Sequence, residues 1–178
     1  MTTYISILRG INVSGKNVIK MDALKEMLAI LDFKNIRTYI QSGNIIFAST
    51  EKDTRKLEAR ISTQIKISFG FDIPVIVLTL DTLKEIIANN PFVSTKDNAY
   101  LHVTFLAEEP KQYDQQILID KAQADEEFFY SKSAIYLYCP NGYGQTKLTN
   151  TFIESKLKVA ATTRNWKTTN ELLRIAMQ

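Results

Sequence analysis

The chain has 178 residues, with 22 Lys and Arg against 19 Asp and Glu and a net charge of +3, enough for one domain or two small ones with real cores. Its apolar, charged and aromatic fractions are ordinary for a globular protein, and no apolar run approaches the roughly 18 residues that span a bilayer. The single cysteine, Cys139, excludes an internal disulfide and fits a reducing compartment. The sequence opens directly on a strand pattern instead of a basic and then apolar leader, so a cytoplasmic setting without membrane contact is expected.

The first strand is expected from about Tyr4 to Arg9. The segment Arg9-Gly10-Ile11-Asn12-Val13-Ser14-Gly15-Lys16-Asn17 follows it, more polar and flexible than a plain strand-to-helix link requires. Met21, Leu24, Met27, Leu28 and Leu31 then recur at helical spacing. Ile36 to Gln41 and Ile45 to Phe47 flank the tight-turn signal Ser42-Gly43-Asn44, which makes a hairpin. Leu57, Ile61, Ile65 and Phe69 mark a second helix starting near Asp53, and Val75 to Leu80 reads as a strand buried on both faces. The order is βαββαβ, the ferredoxin-like or split-βαβ arrangement, in which two helices cover one face of an antiparallel sheet.

Asp81 is expected to cap a short helix ending before Pro91, and residues 91–98 read as a connector. The pattern then restarts. A strand runs from Tyr100 to Leu106, a helix surrounds Tyr113, Ile117 and Leu118, and a hairpin turns at Lys132-Ser133 between Phe128–Tyr130 and Ile135–Tyr138. Phe152, Ile153 and Leu157 mark another helix, with no obvious final strand after it. Thr168 and Glu171 stand at capping-box spacing before a last helix carrying Leu172, Leu173 and Ala176. The sequence therefore predicts an α+β chain of two tandem ferredoxin-like subdomains with antiparallel sheets plus a C-terminal helix. Residues 1–80 form the first subdomain, 81–98 the connecting helix and loop, and 99–178 the second subdomain with that helix. The duplication rests on element order, since the halves share no evident residue-level identity.

Four segments together carry a resemblance: Arg9-Gly-Ile-Asn-Val-Ser-Gly-Lys-Asn17, Tyr39-Ile-Gln-Ser-Gly-Asn44, Lys147-Leu-Thr, and Thr163-Arg-Asn-Trp166. In this order they resemble the bacterial domain of unknown function 1697 family across essentially the whole chain, with Ser14 standing where glycine is usual. The resemblance implies a small cytoplasmic bacterial protein of two ferredoxin-like subdomains and carries no established activity.

Charge points towards an anionic partner. Residues 1–50 carry six Lys and Arg against three acids, residues 143–178 six against two, and residues 97–127 eight acids against two lysines. Gly10-x-x-x-x-Gly15-Lys16-Asn17 comes near the phosphate-binding G-x-x-x-x-G-K-[ST] pattern, and Val75 to Asp81 imitates a strand ending in a magnesium-holding acid. A true phosphate loop of that class needs a hydroxyl in place of Asn17, a helix starting at once, and a parallel sheet. None of these is expected here. A looser anion site, with Gly10 and Gly15 offering backbone N–H groups and Arg9 and Lys16 offering charge, stands beside a plain structural role in which the glycines shape a turn and Arg9 pairs with an acid.

Ser42 and Asn44 suit turn hydrogen bonding as well as ligand contact, whereas turn geometry does not require Gln41. Arg164, Asn165 and Lys167 lead into the last helix beside Trp166, which either stacks on a ligand or plugs the core. Lys147 follows another glycine-containing lead. The ligand-contacting set is thus Arg9, Gly10, Asn12, Gly15, Lys16, Asn17, Gln41, Asn44, Lys147, Arg164, Asn165 and Lys167. No catalytic residue is assigned. His102 is the sole histidine, mid-strand, and Cys139 precedes Pro140, so a metal centre or Cys/His pair is not expected, nor is a cofactor. Three functions remain: binding of nucleic acid or another polyanion, an enzyme or sensor for a small phosphorylated or carboxylated molecule, and a ligand-free interaction module.

Overall fold

The computed structural model describes all 178 residues. The chain forms two compact units, residues 1–84 with 172–178 and residues 85–171. No helix is long and apolar enough to cross a membrane.

The first unit runs β1 (Thr2–Leu8), α1 (Met21–Ile30), β2 (Lys34–Tyr39), β3 (Asn44–Ser49), α2 (Thr54–Phe69) and β4 (Val75–Thr79). Its antiparallel strands lie in the order β2-β3-β1-β4. Alternation along the strands divides the sheet into two faces. Tyr4, Leu8, Ile45, Phe47, Val75 and Val77 face a core with Leu24, Met27 and Leu28 of α1 and Leu57, Ile61 and Ile65 of α2. Asp53 starts α2 by accepting the Arg55 and Lys56 N–H groups, a cap of about 1 kcal/mol, and Gly70 ends it in a left-handed conformation.

The chain then forms α3 (Leu80–Ala88), within which the boundary between the units falls. The second unit contains β5 (Leu101–Leu106), α4 (Gln115–Ile119), β6 (Glu127–Tyr130), β7 (Ala134–Tyr138), α5 (Asn150–Leu157) and β8 (Ala161–Asn165). Its sheet order, β6-β7-β5-β8, repeats the first. The core of this unit gathers Leu106, Ile135, Leu137 and Ala161 with Leu118 of α4 and Ile153 and Leu157 of α5. The repetition extends to backbone hydrogen bonds. Leu8 and Arg9 donate to Gly43 and Pro74 at 2.8 and 3.1 Å, and Leu106 and Ala107 donate to Ser133 and Ala160 at 3.0 and 2.9 Å. Both units are therefore complete split-βαβ modules, followed by α6 (Trp166–Ala176).

Three local expectations change. The second unit does have a final strand, β8, whose Ala-Thr-Thr-Arg-Asn sequence lacks an aliphatic run and takes its extended form from pairing with β5. The Thr163–Asn165 segment that leads into the last helix is thus strand. Thr79, not Asp81, caps α3, its hydroxyl accepting the Thr82 N–H, one of the free N–H groups of the first turn, at 3.1 Å. The last helix begins at Trp166, two residues before Thr168, and Asn165 Oδ1 accepts the Thr168 N–H at 2.7 Å in the capping role.

Candidate functional site

The segment after β1 is pinned at both sides by Ile11 and Ile19, which are 1% and 3% exposed within the first core. Between them the chain makes a miniature hairpin. Lys16 N–H donates to Val13 at 2.9 Å and Asn12 N–H to Asn17 at 3.2 Å. The two central residues, Ser14 and Gly15, have φ of 51° and 72°, as the mirror-image type I turn requires. Gly10, Asn12 and Asn17 are also left-handed, at 74°, 53° and 48°. Five of eight consecutive residues thus adopt a conformation that L side chains avoid.

Side-chain amides hold this arrangement. Asn12 Nδ2 donates to Ile19 O at 2.9 Å and to Gln41 O at 2.8 Å, and Asn12 Oδ1 accepts the Ile19 N–H. Asn17 Nδ2 donates to Gly10 O. The loop is thereby bonded to the β2–β3 turn, where Ile40, a β-branched residue, sits at φ 49° and Gly43 at 80°. Asn44 is wholly buried, its Nδ2 donating to Tyr39 O and Ser42 Oγ. It serves the turn and leaves the set of side chains a ligand can reach. The Asn12 and Asn17 amides are likewise taken up by backbone groups, those of the loop and, for Asn12, of the β2–β3 turn as well.

What stays available is different. Lys16 and Gln41 are exposed and their side chains have no protein partner, and the Gly10 and Gly15 N–H groups are not taken up by protein acceptors. Arg9 is half-buried at the end of β1, its own N–H bonded to Pro74. Helix α1 begins at Met21 with Lys20 at its N-cap and no side chain accepting from its first N–H groups. Those groups border a cleft of about 550 Å³ that Asn12, Gln41 and Lys20 also line, together with Asp22 and Glu26. Lys20 lay outside the motif read from the sequence. The signal was present, because Val18, Ile19 and Lys20, the three residues directly before Met21, include no good capping type.

Lys147, Arg164, Asn165 and Lys167 belong to the second unit. Arg164 Nη1 donates to Thr162 Oγ1 and Thr163 O at 3.2 and 2.9 Å, and burial pushes its pKa down to about 10. Asn165 caps α6, while Lys147 and Lys167 are exposed. This unit also contains a polar chain that the sequence did not single out. Thr163 Oγ1 donates to Asn150 Oδ1 at 2.7 Å, which leaves it to accept from Thr104 Oγ1, also at 2.7 Å. His102, two residues along β5, stacks on Tyr143 with ring centroids 5.0 Å apart, and burial lowers its pKa. The Cys139 thiol is buried and pushed up to about 12, so it is unreactive at neutral pH. No group of His, Cys, Asp and Glu is placed to hold a metal ion.

Fold and site together define a tandem split-βαβ protein with an amide-tied loop at one end of its first unit. The chain belongs to the family described as protein of unknown function (DUF1697), whose model matches residues 1–136. That stretch takes in the Arg9–Asn17 loop and the Gln41–Asn44 turn and ends within β7, before Lys147 and Thr163–Trp166. Among solved structures, the chain is similar to the conserved bacterial protein SP0830 from Streptococcus pneumoniae, at 25% identity over 98% of each chain with a TM-score of 0.75. No curated protein matched the chain.

Proposed function

We propose that the protein binds an anionic ligand, nucleic acid or another polyanion, through the Arg9–Asn17 loop and its surroundings, in a cytoplasmic setting. The observation carrying this reading is the left-handed backbone at Gly10, Asn12, Ser14, Gly15, Asn17 and Ile40, concentrated where the loop meets the β2–β3 turn. Residues held in sparsely populated conformations cost on the order of 1–3 kcal/mol each and cluster at ligand-contacting segments. Here they fix a surface with unpaired Lys16 and Lys20, unused glycine N–H groups and an uncapped helix start, all of which favour negative charge.

Fluorescence anisotropy with labelled single-stranded DNA, duplex DNA and RNA tests the reading. Binding in the micromolar range at low salt is expected, falling with salt at a slope of about −0.7 per contacted phosphate on single strands. The double substitution Lys16→Glu and Lys20→Glu should abolish it while leaving the melting temperature unchanged. Absence of binding to all three probes at low salt overturns it.

The cleft beside α1 favours a second reading, a small phosphorylated or carboxylated molecule. Its volume of about 550 Å³ suits such a ligand. Asp22 and Glu26 on its lining restrict it to one anionic group near Lys20 and Gln41. A thermal-shift screen with nucleotides and sugar phosphates separates this reading from the first. Silence in both assays leaves the interaction module, which the internal use of Asn12, Asn17 and Asn44 already supports.

A further inference from the structure

On the side of the first sheet turned away from α1 and α2, where Ile46 and Ala48 are themselves buried, a second cleft of about 530 Å³ opens at the β2 edge, lined by residues that no motif contains. Its floor is Ile46 and Ala48 of β3, with Thr3 of β1 beside them and Ala176 forming part of the wall. Asn35, Ile36 and Arg37 of β2, Phe47 of β3 and Gln178 complete it.

A β-bulge puts Arg37 there. Lys34 pairs with Ala48 and Arg37 pairs with Ile46, so three steps on β2 match two on β3. In a regular ladder Lys34 and Arg37 would lie on opposite faces, since side chains alternate. The additional residue is absorbed at Asn35, whose φ is 53°. Arg37 consequently shares a face with Ile46 and Ala48, away from the Ile45 and Phe47 face that meets α1 and α2. Bulges recur beside binding sites because they re-aim one side chain.

Arg37 is half-buried, yet its guanidinium has neither an ion-pair partner nor a hydrogen bond, and the side chains of Thr3 and Asn35 have none either. This is the reverse of the Asn12, Asn17 and Asn44 pattern. A partly desolvated cation without a counterion, next to an amide and a hydroxyl over an apolar floor, matches the general make-up of a small-ligand pocket. The planar guanidinium fork suits the two oxygens of a carboxylate or phosphate. We propose that this cleft binds a small organic anion, an apolar body bearing one carboxylate or phosphate, with Arg37 on the charge and Ile46 and Ala48 under the body. The site shares no residue with the Arg9–Asn17 loop, so either reading can fail without the other.

Nitrogen-15 NMR of the full chain titrated with benzoate, phenyl phosphate and inorganic phosphate provides the test. Benzoate or phenyl phosphate should give saturable shifts at the Ile46, Ala48 and Ala176 amides below about 10 mM, the weak end of specific binding. Whichever binds tighter identifies the headgroup, and inorganic phosphate, lacking an apolar body, should bind more weakly. Arg37→Ala should weaken binding at least about tenfold, with an unchanged melting temperature, and Arg37→Lys should restore part of it. If Arg37→Ala also unfolds the protein, Thr3→Phe fills the cleft with Arg37 in place and should remove the shifts. No saturation with either aromatic anion, or unchanged affinity in Arg37→Ala or Thr3→Phe, overturns the proposal.

Discussion

Glu58 Oε1 accepts the backbone N–H of Val77 at 3.0 Å, joining the interior of α2 to the outer edge of β4. Strand β4 pairs only with β1, so its other side would otherwise present unmatched N–H groups. The second unit repeats the device. Glu154 stands at the same distance from the start of α5 as Glu58 does from the start of α2, and its Oε1 accepts the Ala161 N–H of β8 at 3.0 Å. An unpaired strand edge is a template for unwanted pairing, and a helix carboxylate laid against it removes that template.

Replacing Glu58 by Ala should therefore destabilise the protein by about 1–3 kcal/mol, the penalty of leaving a buried N–H without an acceptor. Glu58→Gln keeps an acceptor and should lose less. Glu154→Ala should also lose less, because the Ala161 bond is only partly buried. Urea unfolding reports this as a lowered midpoint at constant slope. A midpoint for Glu58→Ala indistinguishable from wild type would mean that water replaces the carboxylate.

The join between loop and turn makes a graded prediction for glycines. At Gly43 a Cβ would stand 2.6 Å from Leu8 Cβ and 2.9 Å from Ile11 Cδ1, and φ is already 80°. Overpacking and left-handed strain together put Gly43→Ala at about 2–5 kcal/mol. At Gly15 an added methyl would have no atom within 4 Å, and φ is 72°, so Gly15→Ala should lose only the backbone strain, about 1–2 kcal/mol. Ser14→Gly relieves strain at φ 51° and should raise the melting temperature. Equal losses for the two alanine variants would show that the Leu8 and Ile11 contacts do not determine the response.

Periodicity made much of this fold readable. Leu24, Met27 and Leu28, and Leu57, Ile61 and Ile65, announce helix faces, and the paired hairpin patterns announce split-βαβ order in both halves. Strand β8 escaped because Thr162 and Thr163 carry no aliphatic signal and their extended form depends on β5, a partner far off in sequence. The site divides similarly. Glycines and amides revealed an unusual loop, and Ser42-Gly43-Asn44 was readable as a tight turn. Whether an asparagine faces ligand or backbone depends on neighbours such as Gln41 and Ile19, which composition does not encode. Arg37 was invisible for the same reason, since its face is set by a one-residue bulge.

His102 gives a pH prediction with a clear direction. Burial lowers its pKa from the ordinary value of 6.5, the Tyr100 carbonyl opposing that shift more weakly. The unfolded chain therefore takes up the proton at higher pH than the folded one. Above 6.5 both states are neutral and the residue has no effect on stability; as the pH falls below 6.5, unfolding is favoured progressively until the folded state protonates as well. His102→Phe keeps an aromatic ring against Tyr143 and removes the titration, so its melting temperature should fall less than that of wild type between neutral and mildly acidic pH. As the sole histidine, His102 can also be followed directly by its imidazole proton resonance. An observed pKa at or above 6.5 would mean that the ring is hydrated in solution and that the Tyr143 stack does not exclude water.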